Sequence, residues 1–409
     1  MKIYPPFKKK LENHSNDKHF KVLISFENLS NREKFLEKYQ DLKILKKFDF
    51  LPLININLMK EQIINFEEEI LINQIEEDQK LYLSMLDVLE ILELDEYKNS
   101  QISYDGNNIN VGIIDNGINK NFPSIPNSKN YNDVKINKQE VSHGTIIAGI
   151  ICNQFKNLYD NFIGIAPKVN LIDFKLSYDN NEYNFSSILE ILEKIDKEKI
   201  DVDILLISLA TSEASDGKDI LSLACDLLID DGLIIVSPAG NFGPEKNSIG
   251  SPGASAKVIT IGGLTKEFKI PDYSGRGPTL DNRVKPDLCL PSSDIILPLS
   301  ENLRVKVTGT SVAASIGVGI IALIKEYDKN LTYNEILDLM KKVRLDLNYE
   351  PTSQGFGTIK VTDLFEELDL YHQQLIPYNY LIKKSIKVAI EIFIVLIFLF
   401  YIILFFRMV

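Results

Sequence analysis

Between residues 106 and 370 the sequence repeats one pattern, in which a short run that is apolar on both faces alternates with an amphipathic stretch of helical period. A strand without a polar face has no side to expose, so both faces of its sheet must be covered. Alternation with helices provides the crossover connections that parallel strands require. The pattern therefore predicts an α/β domain, a mostly parallel sheet with helices on both faces. The strand-like runs are VGIID at 111–115, VNLIDFKL at 169–176, DILLISLA at 203–210, LIIVSPAG at 233–240 and KVITIGG at 257–263.

A different order of elements precedes this region, in residues 18–80. Alternating apolar residues predict a strand at each end and two short strands in the middle, with a helical stretch on either side of the middle pair. This β-α-β-β-α-β order predicts a small α+β domain of the ferredoxin-like kind. The charged residues 1–17 are interpreted as a flexible tail without a secretory signal peptide. Residues 81–105 are interpreted as a charged connector.

The C-terminal part contains a long apolar run. Residues 388–406 are apolar except for Glu391, and these 19 residues approach the roughly 20 that a membrane-spanning helix needs. A buried core helix is the alternative, but such helices usually keep a polar face. We therefore expect a transmembrane helix at 388–406, preceded by a juxtamembrane stretch at 371–387.

The charges beside this apolar run predict its orientation. Lys383, Lys384 and Lys387 stand before the run, and Arg407 stands after it. Basic residues close to the ends of a spanning helix favour the cytoplasmic side of the membrane. We expect a single-pass membrane protein with a C-terminal anchor, whose long N-terminal part is cytoplasmic.

Composition excludes some classes of function. The chain has 57 acidic and 45 basic residues, a formal net charge of −12, which argues against nucleic acid as its main partner. The three cysteines, Cys152, Cys225 and Cys289, form no disulfide framework and suit a reducing compartment. They have no CxxC spacing, so no metal site is predicted.

Three residues of the α/β domain have the side chains that serine-based hydrolysis needs, which are a hydroxyl nucleophile, a base and an orienting carboxylate. Asp115 ends the run VGIID, and such strand ends gather at one edge of a parallel sheet. His143 opens an apolar helix and is the one histidine of residues 106–370, and Gly144 after it permits close approach of a neighbouring group. Ser311 starts a long apolar helix, where free backbone N–H groups suit an oxyanion.

Each candidate also has a plainer interpretation. Asp115 can be a turn aspartate, His143 a structural residue of a helix start, and Ser311 an N-cap serine. Asn241 follows the run LIIVSPAG and can donate a second hydrogen bond to an oxyanion, or it can be a loop asparagine beside glycines. No single position among these decides the function.

Four motifs occur in one order along the chain: VGIIDNGI at 111–118, SHGTIIAGI at 142–150, SPAGNFG at 237–243 and GTSVAAS at 309–315. Together they resemble the four signature blocks of the subtilisin family. The chain also resembles the family at YSGRGP (273–278), KPD (285–287) and GFG (355–357). The resemblance covers roughly residues 106–365, and four ordered motifs at sensible spacing are highly specific.

The resemblance implies a serine endopeptidase that hydrolyses polypeptides through an acyl-enzyme intermediate and needs no cofactor for the chemistry. It implies that Ser311 is the nucleophile, that His143 is the general base and then the general acid, and that Asp115 orients His143. Asn241 and the backbone N–H of Ser311 would form the oxyanion hole. Calcium often stabilises the family, and it stays open here because the acidic loops contain no DxDxDG pattern.

The resemblance also assigns a substrate cleft. Ser208, Leu209 and Ala210 would line it as an edge strand that pairs with the peptide substrate. Ala210 stands where the family usually has glycine, and its methyl group would narrow the first specificity pocket. Val312 and Ser315 stand where the family usually has Met and Pro. Neither of these two does chemistry, so activity is still expected.

Residues 18–80 resemble the inhibitor-type propeptide of secreted subtilisins, and the segment 70–78 resembles that module's last strand. This implies a domain that chaperones folding, plugs the cleft with its tail and is cut off in the window 78–100. A permanent regulatory or binding domain is the alternative. Two other functions fit the same sequence, which are dedicated maturation of one peptide or membrane-associated partner, and a binding scaffold that does not cleave.

Overall fold

The chain divides into two compact units, Met1–Leu81 (unit 1) and Tyr82–Val409 (unit 2). The structure is a computed structural model, and it describes residues 2–3, 5–48, 52–77, 88, 91–98, 103–119, 121–122, 125, 128–131, 141–154, 163–176, 183, 185–300 and 303–372.

Unit 1 contains, in its described part, α1 Pro5–Glu12, β1 His19–Phe26, α2 Leu29–Lys38, β2 Ile44–Phe48, β3 Leu53–Met59, α3 Lys60–Asn65, a 3-10 turn at Phe66–Glu68 and β4 Ile72–Glu77. Its strands form one antiparallel sheet with the order β2-β3-β1-β4. Along β1, Phe20, Val22, Ile24 and Phe26 alternate with more exposed residues, so one face of the sheet is buried. The predicted β-α-β-β-α-β order is present.

The structure differs from the predicted flexible tail at residues 1–17. α1 lies in this stretch, and the side chains of Phe7 and Leu11 are only 3 % and 2 % exposed. The Phe7 ring meets Phe20 of β1 edge-on, with 5.6 Å between the ring centroids. Phe7 and Leu11 are four positions apart and share one helix face. The lysines between them conceal this apolar pair when the stretch is judged by its charge.

Unit 2 contains a seven-stranded sheet in which all neighbouring strands are parallel. Its strands are β5 Asn110–Asp115, β6 Ser128–Asn130, β7 Asn170–Lys175, β8 Ile204–Ile207, β9 Ile234–Pro238, β10 Ile259–Leu264 and β11 Leu288–Pro291. They lie in the order β11-β10-β9-β8-β5-β7-β6. The predicted parallel sheet is confirmed, and each of the five strand-like runs overlaps one strand. The two edge strands, β6 and β11, are not among the predicted strands.

Helices cover both faces of this sheet. They are α4 Leu94–Lys98, α5 His143–Cys152, α6 Phe185–Lys197, α7 Ile220–Asp230, α8 Thr310–Tyr327, α9 Tyr333–Lys342, α10 Pro351–Gln354 and α11 at 361–372. α5 and α8 pack on one face together with Val111 and Ile113 of β5. α6 and α7 pack on the other face with Ile114, because neighbouring residues of a strand point to opposite sides. A separate antiparallel hairpin joins β12 Ile295–Ser300 to β13 Leu303–Val307.

α8 is apolar all round because the core of unit 2 surrounds it. Within the described ranges it is the one helix long and apolar enough to cross a bilayer, and 89 % of it is buried inside the protein. It is therefore a core helix. The run at 388–406, for which we predict a membrane-spanning helix, lies outside the described residues, as does most of the juxtamembrane stretch 371–387.

Part of the predicted connector at 81–105 belongs to the core of unit 2. Leu92, Leu94 and Tyr97 are at most 4 % exposed and pack in the same apolar core as α8. The Tyr97 ring stacks on Phe365 of α11, with 4.3 Å between the ring centroids. The charged residues interspersed here conceal an apolar face, so this segment is a part of the domain and not a free linker.

The three cysteines are buried and form no disulfide. Burial raises the pKa of the Cys152 and Cys289 thiols to about 12. Cys225 is buried as well, and its pKa is also raised. These thiols stay protonated and pack as small apolar groups.

Candidate active site

The carboxyl ends of three neighbouring strands carry predicted site residues. Asp115 is the last residue of β5, Ser208 directly follows β8, and Asn241 comes shortly after β9. β9, β8 and β5 are adjacent and parallel, so these ends lie at one edge of the sheet. The fold thus collects residues from distant parts of the sequence.

His143 links Asp115 to Ser311. Its Nδ1 lies 2.7 Å from Asp115 Oδ2, and its Nε2 lies 3.1 Å from Ser311 Oγ. A carboxylate only accepts hydrogen bonds, so Nδ1 carries the proton and Nε2 accepts from the serine hydroxyl. The three residues form one hydrogen-bonded chain in which the imidazole can take the proton of Ser311.

The carboxylate of Asp115 is nearly fully buried and accepts three hydrogen bonds. Oδ1 accepts from the backbone N–H of Asn116 at 2.6 Å, and Oδ2 accepts from His143 and from the hydroxyl of Ser208. A buried charge requires such donors. The sequence predicts a cleft position for Ser208 and gives no sign of its bond to Asp115, because that bond joins two different strands.

Two opposing effects act on the pKa of His143. Burial lowers it, because a charged imidazole loses hydration, whereas the hydrogen bond and the negative charge of Asp115 raise it. The effects of Asp115 prevail, and the pKa of His143 lies above the ordinary value of 6.5. The imidazole is therefore a stronger base than a free histidine side chain.

The start of α5 fits closely against the loop after β5. Ser142 caps the helix, since its Oγ accepts from the Thr145 N–H at 3.2 Å and donates to the Gly117 carbonyl at 2.6 Å. Asn116 Oδ1 accepts from the Gly144 N–H at 2.9 Å. A Cβ on Gly144 would lie 2.7 Å from the Gly117 oxygen. The expectation that Gly144 permits a close approach is confirmed.

Ser311 is the second residue of α8, whose N-cap is Gly309. Gly309 has a φ of +151°, which favours glycine. Backbone N–H groups in the first turn of a helix have no acceptor within the helix. The N–H of Ser311 can therefore donate to an oxyanion that forms next to its own hydroxyl.

Asn241 lies beside this helix start. Its Oδ1 accepts from the backbone N–H and from the hydroxyl of Thr310, both at 2.9 Å. These two bonds fix the amide, and its Nδ2 is left as a donor near Ser311. Both Asn241 Nδ2 and Ser311 Oγ lie within 3.6 Å of the point that a Cβ on Gly309 would occupy. Thr310 is a residue that sequence reasoning missed, although it directly precedes the predicted nucleophile.

The three residues predicted to line the cleft continue the chain beyond β8. Ser208 is buried on Asp115, and Leu209 and Ala210 are half-buried. Among the described residues, the backbone N–H and C=O groups of Leu209 and Ala210 take part in no hydrogen bond. Such free backbone groups are what an added peptide strand needs for pairing.

The described ranges contain no group of three or more His, Cys, Asp or Glu side chains placed to hold a metal ion. Calcium sites also use carbonyl and amide oxygens, so a stabilising calcium ion stays a prediction.

A hydrogen-bonded chain of Asp, His and Ser at one edge of a parallel α/β sheet is an arrangement found in serine hydrolases. The sequence profile of the subtilase family matches residues 106–357. The chain belongs to the subtilase family.

Characterised relatives agree with this assignment. The chain is 26 % identical over 397 residues to the serine protease AprX of Bacillus subtilis (strain 168), covering 83 % of this chain and 88 % of AprX. It is 26 % identical over 288 residues to the major intracellular serine protease of the same organism, covering 65 % of this chain and 86 % of that protein. The chain is thus a subtilisin-like serine protease, a hydrolase.

A solved structure shares the fold. The CspB protease of Clostridium perfringens superposes with a TM-score of 0.58 at 16 % sequence identity, covering 68 % of this chain and 98 % of that protein. At this identity the likeness concerns the fold alone.

Proposed function

We propose that the chain is a serine endopeptidase in which Asp115, His143 and Ser311 form the catalytic triad. Asn241 Nδ2 and the backbone N–H of Ser311 form the oxyanion hole, and the segment 208–210 pairs with the backbone of the peptide substrate. The observation that carries this proposal is the hydrogen-bonded chain through His143, 2.7 Å to Asp115 and 3.1 Å to Ser311.

The proposed reaction uses atoms that are already in contact. Ser311 Oγ attacks the peptide carbonyl while its proton passes to His143 Nε2, and Asp115 stabilises the imidazolium that forms. The carbonyl oxygen becomes negative and accepts hydrogen bonds from Asn241 Nδ2 and the Ser311 N–H. His143 then protonates the leaving amine, and water hydrolyses the acyl-enzyme by the same route.

Labelling with a fluorophosphonate probe tests the assignment, because the probe reacts with an activated serine hydroxyl. The wild type should be labelled, and Ser311→Ala should lose both the label and about 10⁶-fold in kcat. Ser315→Ala is the matched control. Ser315 lies one turn further along α8, and its hydroxyl donates to the Ser311 carbonyl at 2.7 Å, away from the triad. It should keep the label.

Two results would contradict the proposal. A labelled Ser311→Ala variant would place the nucleophile elsewhere. A folded wild type that takes no label and cleaves no peptide would favour the non-catalytic binding scaffold.

We also propose that unit 1 acts as an inhibitor-type propeptide of the protease. Its antiparallel sheet, its element order and its place before the family-matched residues 106–357 support this role. Such a domain would restrain the protease until the chain between the units is cut.

We further propose that residues 388–406 anchor the protease in a membrane, with unit 2 on the cytoplasmic side. The apolar composition of this run supports the anchor. The three lysines before it, against one arginine after it, support the orientation.

A further inference from the structure

The strand β4 lies at one edge of the sheet of unit 1, and the first residues of the chain cover its outer side. In the sheet order β2-β3-β1-β4, β1 pairs with β4 on one side. On the other side Ile3 forms a parallel bridge with Ile75, whose N–H donates to the Lys2 carbonyl at 2.8 Å. An edge strand without such a cover exposes a row of unpaired N–H and C=O groups. We call residues 2–3 and 5–12 the N-terminal clamp.

Two lysines of the N-terminal clamp hold the chain before and at the end of β4. Before the strand, Lys8 Nζ lies 2.7 and 2.9 Å from the two carboxylate oxygens of Glu67. At the last residue of the strand, Lys10 Nζ lies 2.7 Å from both carboxylate oxygens of Glu77. Together with the bridge at its middle, the clamp contacts β4 along its whole length. Each ion pair is partly exposed and contributes little by itself.

Apolar burial makes the larger contribution to this contact. The side chains of Ile3, Phe7 and Leu11, spaced four positions apart, are at most 3 % exposed. They pack in one core cluster with Ile72 and Ile75 of β4. Burying such side chains stabilises a fold by more than an exposed ion pair does. The clamp and β4 therefore hold each other in place.

The place of β4 in the chain gives this contact a consequence for activation. β4 ends at Glu77, directly before the window 78–100 in which the cut is expected. As an inhibitor, unit 1 must stay folded in the presence of an active protease, because proteases cut the opened form of a protein far faster than the folded form. Opening of an edge strand would expose unit 1 to digestion.

We propose that the N-terminal clamp sets how long unit 1 inhibits the protease, by keeping β4 in its sheet. This rests on the proposed function of unit 1 as an inhibitor. Release of the clamp lets β4 open, the protease then digests unit 1, and peptidase activity rises. The clamp thereby delays activation without contacting the triad residues.

Hydrogen exchange tests the contact in the full chain carrying Ser311→Ala, which should not cut itself. Lys10→Glu places two like charges at the end of β4, so the amides of residues 72–77 should exchange about fivefold faster. Phe7→Ala removes a buried ring, and the same amides should exchange on the order of 100-fold faster.

Lys9→Glu is the matched control for Lys10→Glu. It makes the same charge change on the same helix, at an exposed lysine that has no ion-pair partner in the described part of the chain. Its β4 amides should exchange as in the unsubstituted clamp. This pair of variants keeps the test decisive even if Phe7→Ala prevents unit 1 from folding.

A second measurement follows activation of the chain with Ser311 intact. The full chain is diluted from denaturant, and peptide cleavage per fluorophosphonate-labelled enzyme is recorded while mass spectrometry follows the loss of unit 1. The wild type should become active after a lag during which unit 1 persists. Lys10→Glu should shorten this lag by about fivefold, in proportion to the faster opening of β4, and Lys9→Glu should leave it unchanged.

The outcomes separate the clamp from the function on which it rests. Equal exchange of the β4 amides in Lys10→Glu and Lys9→Glu would overturn the clamp. Faster exchange with an unchanged lag would overturn its role in activation. A wild type that is active at once while unit 1 is intact would overturn the inhibitor function of unit 1, and the exchange rates would still show whether the clamp holds β4.

Discussion

Single residues around Asp115 set the electrostatics of the site. The carboxylate is buried, and Asn116 and Ser208 supply two of its three donors. These donors hold the carboxylate in place beside the imidazole. The negative charge of Asp115 stabilises the protonated imidazole of His143. Asn116 and Ser208, which bond to Asp115 and not to His143, therefore bear on how strongly His143 acts as a base.

This electrostatic arrangement predicts the pH dependence of activity. A base must be neutral, so kcat/KM should fall as the pH drops through a pKa above the ordinary histidine value of 6.5. Asp115→Asn removes the charge that raises the pKa of His143. It should move this acidic limb to lower pH and reduce kcat by roughly 10⁴-fold.

The measurement is a pH–rate profile of both proteins on one peptide, and an unchanged acidic limb in Asp115→Asn would refute the role of the charge.

The raised pKa of His143 also makes the free energy of unfolding depend on pH. The folded state binds the proton more tightly, so this contribution is present below the unfolded-state pKa and is lost as the pH rises through the folded-state pKa.

At the scale of elements, the site depends on how α5 meets the loop after β5. Three hydrogen bonds join the two, through Ser142, Asn116 and Thr145. The absence of a side chain at Gly144 lets the helix start reach the Gly117 carbonyl. The position of His143 relative to Asp115 therefore follows from the packing of a helix against a strand end.

Gly144→Ala tests this contact between elements. The new methyl group would meet backbone 2.7 Å away, so the helix start must shift and carry His143 with it. A displacement of about 1 Å at the reacting groups can cost on the order of 10²-fold in kcat, and we expect a loss of that size.

Gly149→Ala is the matched control for this prediction, because Gly149 lies in the same helix. Its new methyl group would meet the ends of the flexible Leu297 and Leu299 side chains instead of backbone. It should lower the melting temperature while kcat stays near wild type. If Gly144→Ala also keeps its kcat, the fit between α5 and the loop is not what positions His143.

At the scale of the whole chain, segments on both sides of the family-matched residues 106–357 pack together. The Val361 N–H donates to the Leu92 carbonyl at 2.8 Å. Tyr327, at the far end of the Ser311 helix, meets Phe365 edge-on at 6.0 Å between ring centroids. The folded protease domain of unit 2 therefore extends beyond the family-matched region in both directions.

This packing sharpens the prediction of self-processing. A cut after Tyr97 would remove Leu92, Leu94 and Tyr97 from the core, and burial of each such side chain contributes about 1.5–3 kcal/mol. We therefore expect the new N-terminus to lie before Val88, in the early part of the window 78–100. Mass spectrometry of the purified chain should show it, and Ser311→Ala should stay intact. An uncut chain with full activity would argue against self-cleavage.

The membrane anchor is tested by truncation after Gln373, which keeps the triad and α11 but removes the run at 388–406. The truncated chain should be active in the soluble fraction, whereas the full chain should stay with membranes. A protease added to intact cells should leave unit 2 of the full chain undigested. Digestion without lysis would reverse the proposed orientation, and a soluble full chain would disprove the anchor.

Local sequence patterns were sufficient to predict the parallel α/β sheet and to select Asp115, His143, Ser311 and Asn241 as candidates. Strand periodicity, helix starts and short motifs involve residues close together in the chain. The backbone conformation that these patterns favour is set mainly by near neighbours. This is why the five main strands and the predicted order of elements in unit 1 agree with the structure.

Long-range packing decided the rest. Ser208 and Asp115 are 93 positions apart, and Thr310 and Asn241 are 69 apart. Their bonds exist because β9, β8 and β5 are neighbours, an order that no local pattern encodes. Burial of the stretch at 1–17 and of part of 81–105 likewise depends on apolar partners elsewhere in each unit. Apolar residues a few positions apart among charged residues form a buried face only when a surface from a distant part of the chain covers them.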